Sequence, residues 1–101
     1  MVVEKIKYTD FNGIEREEEF MFNLTEAEIT EMELTTDGGL SDSIKKIIAA
    51  QDTPQIIKVF KMLLLKSYGE KSADGRRFVK SEKLSEDFSQ TNAYSQLFMK
   101  L

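Results

Sequence analysis

The chain lacks both cysteine and histidine. Without cysteine there is no disulfide framework and no thiolate chemistry. Without histidine the commonest general base and the commonest metal ligand are both missing. No serine–histidine or cysteine–histidine nucleophile can be assembled within this chain. No apolar run is long enough to cross a bilayer, since Ile56 to Leu65 is interrupted by Lys58 and Lys61. The start, Met1-Val2-Val3-Glu4-Lys5, places an acid where a signal peptide needs an apolar stretch, so a cytoplasmic location is expected.

Phosphate-binding patterns are absent as well. Gly38-Gly39 precedes a helical segment, yet Asp37 and Asp42 flank it with the wrong charge and no glycine-rich fingerprint surrounds it. The reading is a plain loop. No cofactor or metal is expected. Glu15, Glu17 and Glu19 alternate along one strand face, whereas catalytic or metal-binding acids must converge from several elements. A charged strand edge that discourages aggregation is the simpler reading.

What remains is a globular composition in 101 residues, with 41% hydrophobic and 32% charged side chains. That length suits one domain, 1–101. The net charge of −4 is uneven. Residues 1–42 hold twelve acids against three bases, and residues 43–101 hold six acids against eleven bases. Two reading frames fit that split: solvated surfaces of opposite sign, or a head-to-tail contact between copies. The basic stretch from Lys66 to Lys83 interleaves Tyr68 and Phe78, but a chain of pI near 4.9 would repel a phosphate backbone, so nucleic acid is not an expected partner.

The pattern predicts an α+β fold: an N-terminal β-hairpin over 1–23, then four or five short helices over 24–101, with a polar loop or short hairpin at 70–80. The first strand is Val2 to Thr9 and the second Ile14 to Phe22, joined at Asp10-Phe11-Asn12-Gly13, where Asn and Gly tolerate positive φ. Only the Phe20–Phe22 end of the second strand reads as buried; its first half is polar on both faces. Thr25 and Glu28 form a capping box for a helix ending near Thr35. A second helix starts at Ser41 and carries Ile44, Ile47 and Ile48. Thr53 caps a third, Pro54 to about Tyr68, with Gly69 as its left-handed stop. That third helix is apolar over most of its circumference and is expected at the centre of the core. Ser81 or Ser85 starts a fourth and Thr91 caps a fifth. Tyr94, Leu97, Phe98, Met99 and Leu101 on the last helix are candidate partner-binding residues. Aromatics and Met are enriched at interface cores, and Met99 falls outside the Tyr94–Leu97–Leu101 stripe. An ordinary amphipathic helix packed on the third helix is the plainer reading of the same residues.

Three blocks carry a family resemblance: Phe22-Asn23-Leu24-Thr25 leading to Asp37-Gly38-Gly39; Lys66-Ser67-Tyr68-Gly69-Glu70-Lys71-Ser72 with Asp74-Gly75, Phe78, Lys80 and Ser81; and Phe88-Ser89-Gln90-Thr91 followed by Ala93-Tyr94-Ser95 and Leu97-Phe98-Met99. Together they resemble the tail assembly chaperones of long-tailed phages and prophages of Gram-positive bacteria. The resemblance implies a non-enzymatic protein that coats and solubilises the tape measure protein, helps recruit the major tail protein, self-associates, and is absent from the finished virion. A structural phage component, such as a head–tail connector or minor tail protein, is the alternative. An enzyme using Glu15 to Glu19 is a third class.

Overall fold

The computed structural model describes residues 1–100; Leu101, the last of the candidate partner-binding residues, lies outside the described residues. Two strands open the chain, β1 (Val2–Thr9) and β2 (Glu15–Phe22). Three helices follow, α1 (Glu26–Thr35), α2 (Leu40–Ala49) and α3 (Thr53–Ser67). Then come β3 (Tyr68–Lys71), β4 (Phe78–Val79), α4 (Glu82–Ser89) and α5 (Asn92–Lys100). The fold class is α+β, with the expected hairpin followed by helices. The backbone divides into two compact units, one built from 1–23 with 67–100 and the other from 24–66.

The first unit holds an antiparallel sheet of order β1-β2-β3-β4. Its hairpin turn follows from Asp10. One carboxylate oxygen accepts from the Asn12 N–H at 2.9 Å and the Ile14 N–H at 3.0 Å. Gly13 takes φ 78°, while Asn12 does not share the positive φ that the sequence allowed it. One left-handed glycine after a tight turn suffices for a hairpin of this loop length. The segment 70–80, left open as loop or hairpin, is a hairpin that widens the sheet to four strands. Asp74 holds its turn by accepting from Ser72 Oγ at 2.7 Å and the Arg76 N–H at 3.1 Å.

Side-chain alternation decides which sheet face is covered. Val2, Ile6 and Tyr8 of β1 share a face with Phe20 and Phe22 of β2. Phe88 of α4 lies at the centre of the rings gathered on that face. It stacks on Tyr68 at 4.3 Å with 12° between planes, and its centroid is 5.2 Å from Phe20, 5.8 Å from Phe22 and 5.6 Å from Tyr94. Phe88 is 3% exposed. Ile6, Leu97 and Ala93 are buried with it, and α5 packs across β1 and against α4. Of the two starts left open for α4, Ser81 is the cap, its Oγ accepting from the Leu84 N–H at 3.0 Å, and the Thr91 cap is made as expected, its Oγ1 accepting from the Tyr94 N–H at 3.1 Å.

The second unit holds α1, α2 and α3. The capping box at the start of α1 is formed in both directions, Glu28 N–H to Thr25 Oγ1 at 3.2 Å and Thr25 N–H to Glu28 Oε1 at 3.1 Å. Helix α2 begins at Leu40, one residue before the expected start. Its free donors are met from α1, where Glu33 Oε2 accepts from the Ser41 N–H at 3.1 Å. Asp52 rather than Thr53 stands at the start of α3, its backbone oxygen accepting from the Ile56 N–H at 3.0 Å and its carboxylate from the Gln55 N–H at 3.4 Å.

Two further expectations are overturned. Helix α3 is not the centre of the core: none of its residues is buried, and Val59, Phe60, Leu63, Leu64 and Leu65 reach only half-burial. Its apolar circumference is larger than the unit's two ten-residue helices cover. Gly69 is not a helix stop either. It lies inside β3 with no positive φ, and a Cβ there would sit 2.6 Å from the Phe78 ring and 2.6 Å from the Val79 carbonyl oxygen. The glycine is needed for close approach of β4, not for a left-handed turn.

Gly69→Ala should therefore destabilise the protein by about 1–3 kcal/mol through overpacking, and Phe88→Ala by about 3–5 kcal/mol. Chemical denaturation checks both. A Gly69→Ala variant as stable as the parent would show that β4 does not press on β3.

Candidate partner-binding surface

The last helix separates its side chains by depth. Leu97 is 3% exposed and Ala93 fully covered, because both face β1 and the ring cluster. Tyr94 is half-buried, edge-on to Phe88, and Phe98 is half-buried with its ring centroid 5.9 Å from that of Tyr94. Burial pushes the Tyr94 phenol above its ordinary value. Met99 stands apart at 81% exposed. Helix α5 thus gives Ala93 and Leu97 to the core of its own unit and turns Met99 to solvent. The structure brings Tyr94, Leu97 and Phe98 together and leaves Met99 outside them.

The second unit has more open apolar surface. Ile29 and Leu34 of α1, Ile48 of α2, and Ile56, Ile57 and Met62 of α3 are exposed. Between α2 and α3 lies an apolar groove of about 50 Å3 lined by Ile44, Ile47, Ile48, Ile56 and Val59. It has room for one side chain, and ligand pockets for small molecules are several times larger. The sequence pattern placed α3, and with it Ile56 and Val59, at the centre of the core. The signal against it was present: a fifteen-residue helix apolar nearly all round carries more apolar surface than two ten-residue neighbours can cover.

Charge is arranged differently from the split along the sequence. Residues 1–23 with 67–100 hold eleven acids and nine bases, and residues 24–66 hold seven acids and five bases. Each unit is therefore net −2, and neither is the basic half. On the open face of β2, Glu17 is paired with Lys5 at 3.0 Å and Lys7 at 3.4 Å. These pairs hold the Glu17 carboxyl below its usual range, chiefly through the Lys5 bond, and raise Lys5 in turn. At the tip, Arg16 Nε donates to Asp10 Oδ2 at 2.6 Å. The Asp10 carboxyl is held low first by that bond and then by the Ile14 N–H. The Tyr8 hydroxyl donates to Glu18, which raises the Tyr8 phenol.

A cleft of about 470 Å3 beside the hairpin is lined by Lys7, Tyr8, Glu15, Arg16 and Gln96 among others. It is wide open, and its acids lie along a strand rather than converging. Among the described residues no group of three or more acids is placed to hold a metal ion. No helix among them is long and apolar enough to cross a membrane. The exposed aliphatic side chains stand on a surface rich in charged residues.

The sign of the pH dependence follows from the depressed carboxyls. Stability from a carboxyl lowered on folding is present above its unfolded pKa and lost as pH falls through the folded value. Carboxyl-detected NMR titration should find Asp10 and Glu17 titrating below the ordinary carboxylate range, with Arg16→Ala returning Asp10 towards it. Unchanged titration of Asp10 in that variant would contradict the tip geometry.

A protein-family model described as phage tail assembly chaperone matches residues 1–101. No curated protein matches the chain. No solved structure matches it.

Proposed function

The chain belongs to the phage tail assembly chaperone family, and on that premise we propose that it binds the tape measure protein, keeps it soluble and helps recruit the major tail protein. The full-length family match is the observation that carries this reading. The exposed aliphatic side chains support it. A chaperone for a long client needs apolar surface that is covered only in the complex, together with enough charge to keep both partners in solution. Ile48, Ile56, Ile57 and Met62 in one unit and Met99 in the other are such side chains.

The proposed contact residues on the last helix divide by role. Met99 and Phe98 meet the client, while Tyr94 and Leu97 hold the helix in place from beneath. Leu101 continues the same segment of sequence. The protein acts by binding rather than by catalysis, self-associates when no client is present, works in the host cytoplasm, and is left behind when the virion matures. Gram-positive hosts of long-tailed phages remain the proposed setting.

Co-expression with the tape measure protein of the same phage tests this directly. The client should move from the insoluble to the soluble fraction and co-purify with the chain. Met99→Glu, at an exposed site, should weaken co-purification several-fold without lowering stability, whereas Leu97→Ala should lower stability by about 2–5 kcal/mol. A client that stays insoluble beside abundant folded chain would refute the proposal, as would finding the chain in purified particles at tail-component stoichiometry.

A further inference from the structure

We propose that the outer edge of β2, from Glu15 to Glu19, accepts an added strand from a partner protein, and that the strand is an extended segment with basic side chains at alternate positions. The argument begins with backbone parity. The Asp10 N–H donates to the Ile14 carbonyl at 2.9 Å, so Asp10 and Ile14 are a hydrogen-bonded pair. In an antiparallel ladder such pairs alternate. From the register, Tyr8–Arg16, Ile6–Glu18 and Glu4–Phe20 are then the pairs that bond across to β1.

The odd-numbered residues of β2 therefore turn their N–H and C=O groups away from β1. The other end of the strand agrees with this parity: the Asn23 N–H donates to the Ser67 carbonyl at 2.8 Å on the β3 side. Strand β3 covers only the last part of β2, pairing at Met21 and Phe22. Beyond Gly69 it leaves β2, and Glu70 and Lys71 pair with β4 instead. Among the described residues, no backbone bond reaches the outward groups of Glu15, Glu17 and Glu19. Where β3 departs, a notch of about 340 Å3 opens, lined by Glu18, Glu19, Glu70 and Lys71 among others. A row of unpaired donors and acceptors is a ready template for one more strand.

Charge selects what that strand can be. Residues 15–19 hold four glutamates and one arginine. Lys5 and Lys7 are both spent on Glu17. A second copy of β2 would bring glutamate opposite glutamate, which destabilises cross-strand pairing. The acids that keep copies of this edge apart leave it open to a strand of opposite sign, and specificity arises from that exclusion. This inference uses the sheet edge alone and does not depend on the client proposed above.

Amide exchange of the full chain followed by NMR tests it, with a seven-residue peptide of alternating lysine and valine as probe and its glutamate–valine counterpart as control. In the free protein, the amides of Glu15, Glu17 and Glu19 should exchange fast while those of Arg16 and Glu18 are protected. The lysine peptide should slow the three odd amides by about tenfold or more, and raised salt should reverse the effect. The glutamate peptide should do nothing. Glu17→Pro, which removes an outward donor, should abolish the slowing; Glu15→Lys/Glu19→Lys, which keeps every donor, should abolish it too. Odd amides already protected in the free chain at low concentration would overturn the proposal. So would protection that appears with rising chain concentration and no peptide, or a lysine peptide that leaves these amides unchanged.

Discussion

The stack of Tyr68 on Phe88 is the contact on which the first unit depends. Tyr68 belongs to β3, which follows the helical stretch, and Phe88 to α4, yet both rings meet Phe20 and Phe22 from the opening hairpin. Residues 1–23 and 67–100 are far apart in the chain, and long-range ring contacts of this kind offset the cost of closing so large a loop. Everything else in that unit is arranged around them. Gly69 has no side chain so that β4 can lie close beside Tyr68, and α5 lays Ala93 and Leu97 beneath while Tyr94 seals the edge of the cluster.

Concentrating the core in this way has a consequence for function. The rings that look most like interface anchors in the sequence are mostly spent on internal packing, while aliphatic side chains that look like core stand in solvent. Met99 turns away from the stripe that Leu97 and Ala93 bury, and Ile48, Ile56 and Ile57 line open helix surface. A family whose work is binding other proteins is served by that division. A rigid aromatic scaffold holds the unit in shape, and surplus apolar surface is left on elements that the scaffold does not need.

Local chemistry was legible in the sequence because its determinants are a few residues long. The Thr25–Glu28 box, the Asp10 turn, and the Ser81 and Thr91 caps each follow from side chains that reach only three or four positions. What was not legible depends on partners far along the chain. Gly69 reads as a helix stop from its neighbours, and only the approach of Phe78 and Val79 reveals its strand role. Helix α3 reads as core from its composition, but burial needs elements to cover it, and periodicity does not count those. The charge split along the chain dissolves for the same reason, since the acidic hairpin and the basic segment around Arg76 and Arg77 fold into one sheet. The Met99 outlier was visible as an outlier, and the structure gives it a place on the surface.

Hydrogen exchange by mass spectrometry, on the purified chain alone and in its co-purified complex with the tape measure protein, bears most directly on the central claim that exposed surface carries the binding while the ring cluster is scaffold. Peptides covering α2, α3 and the end of α5 should exchange markedly more slowly in the complex, with those around Phe88 unchanged. Equal exchange at α2, α3 and α5 in both samples, or protection confined to the ring cluster, would contradict the account.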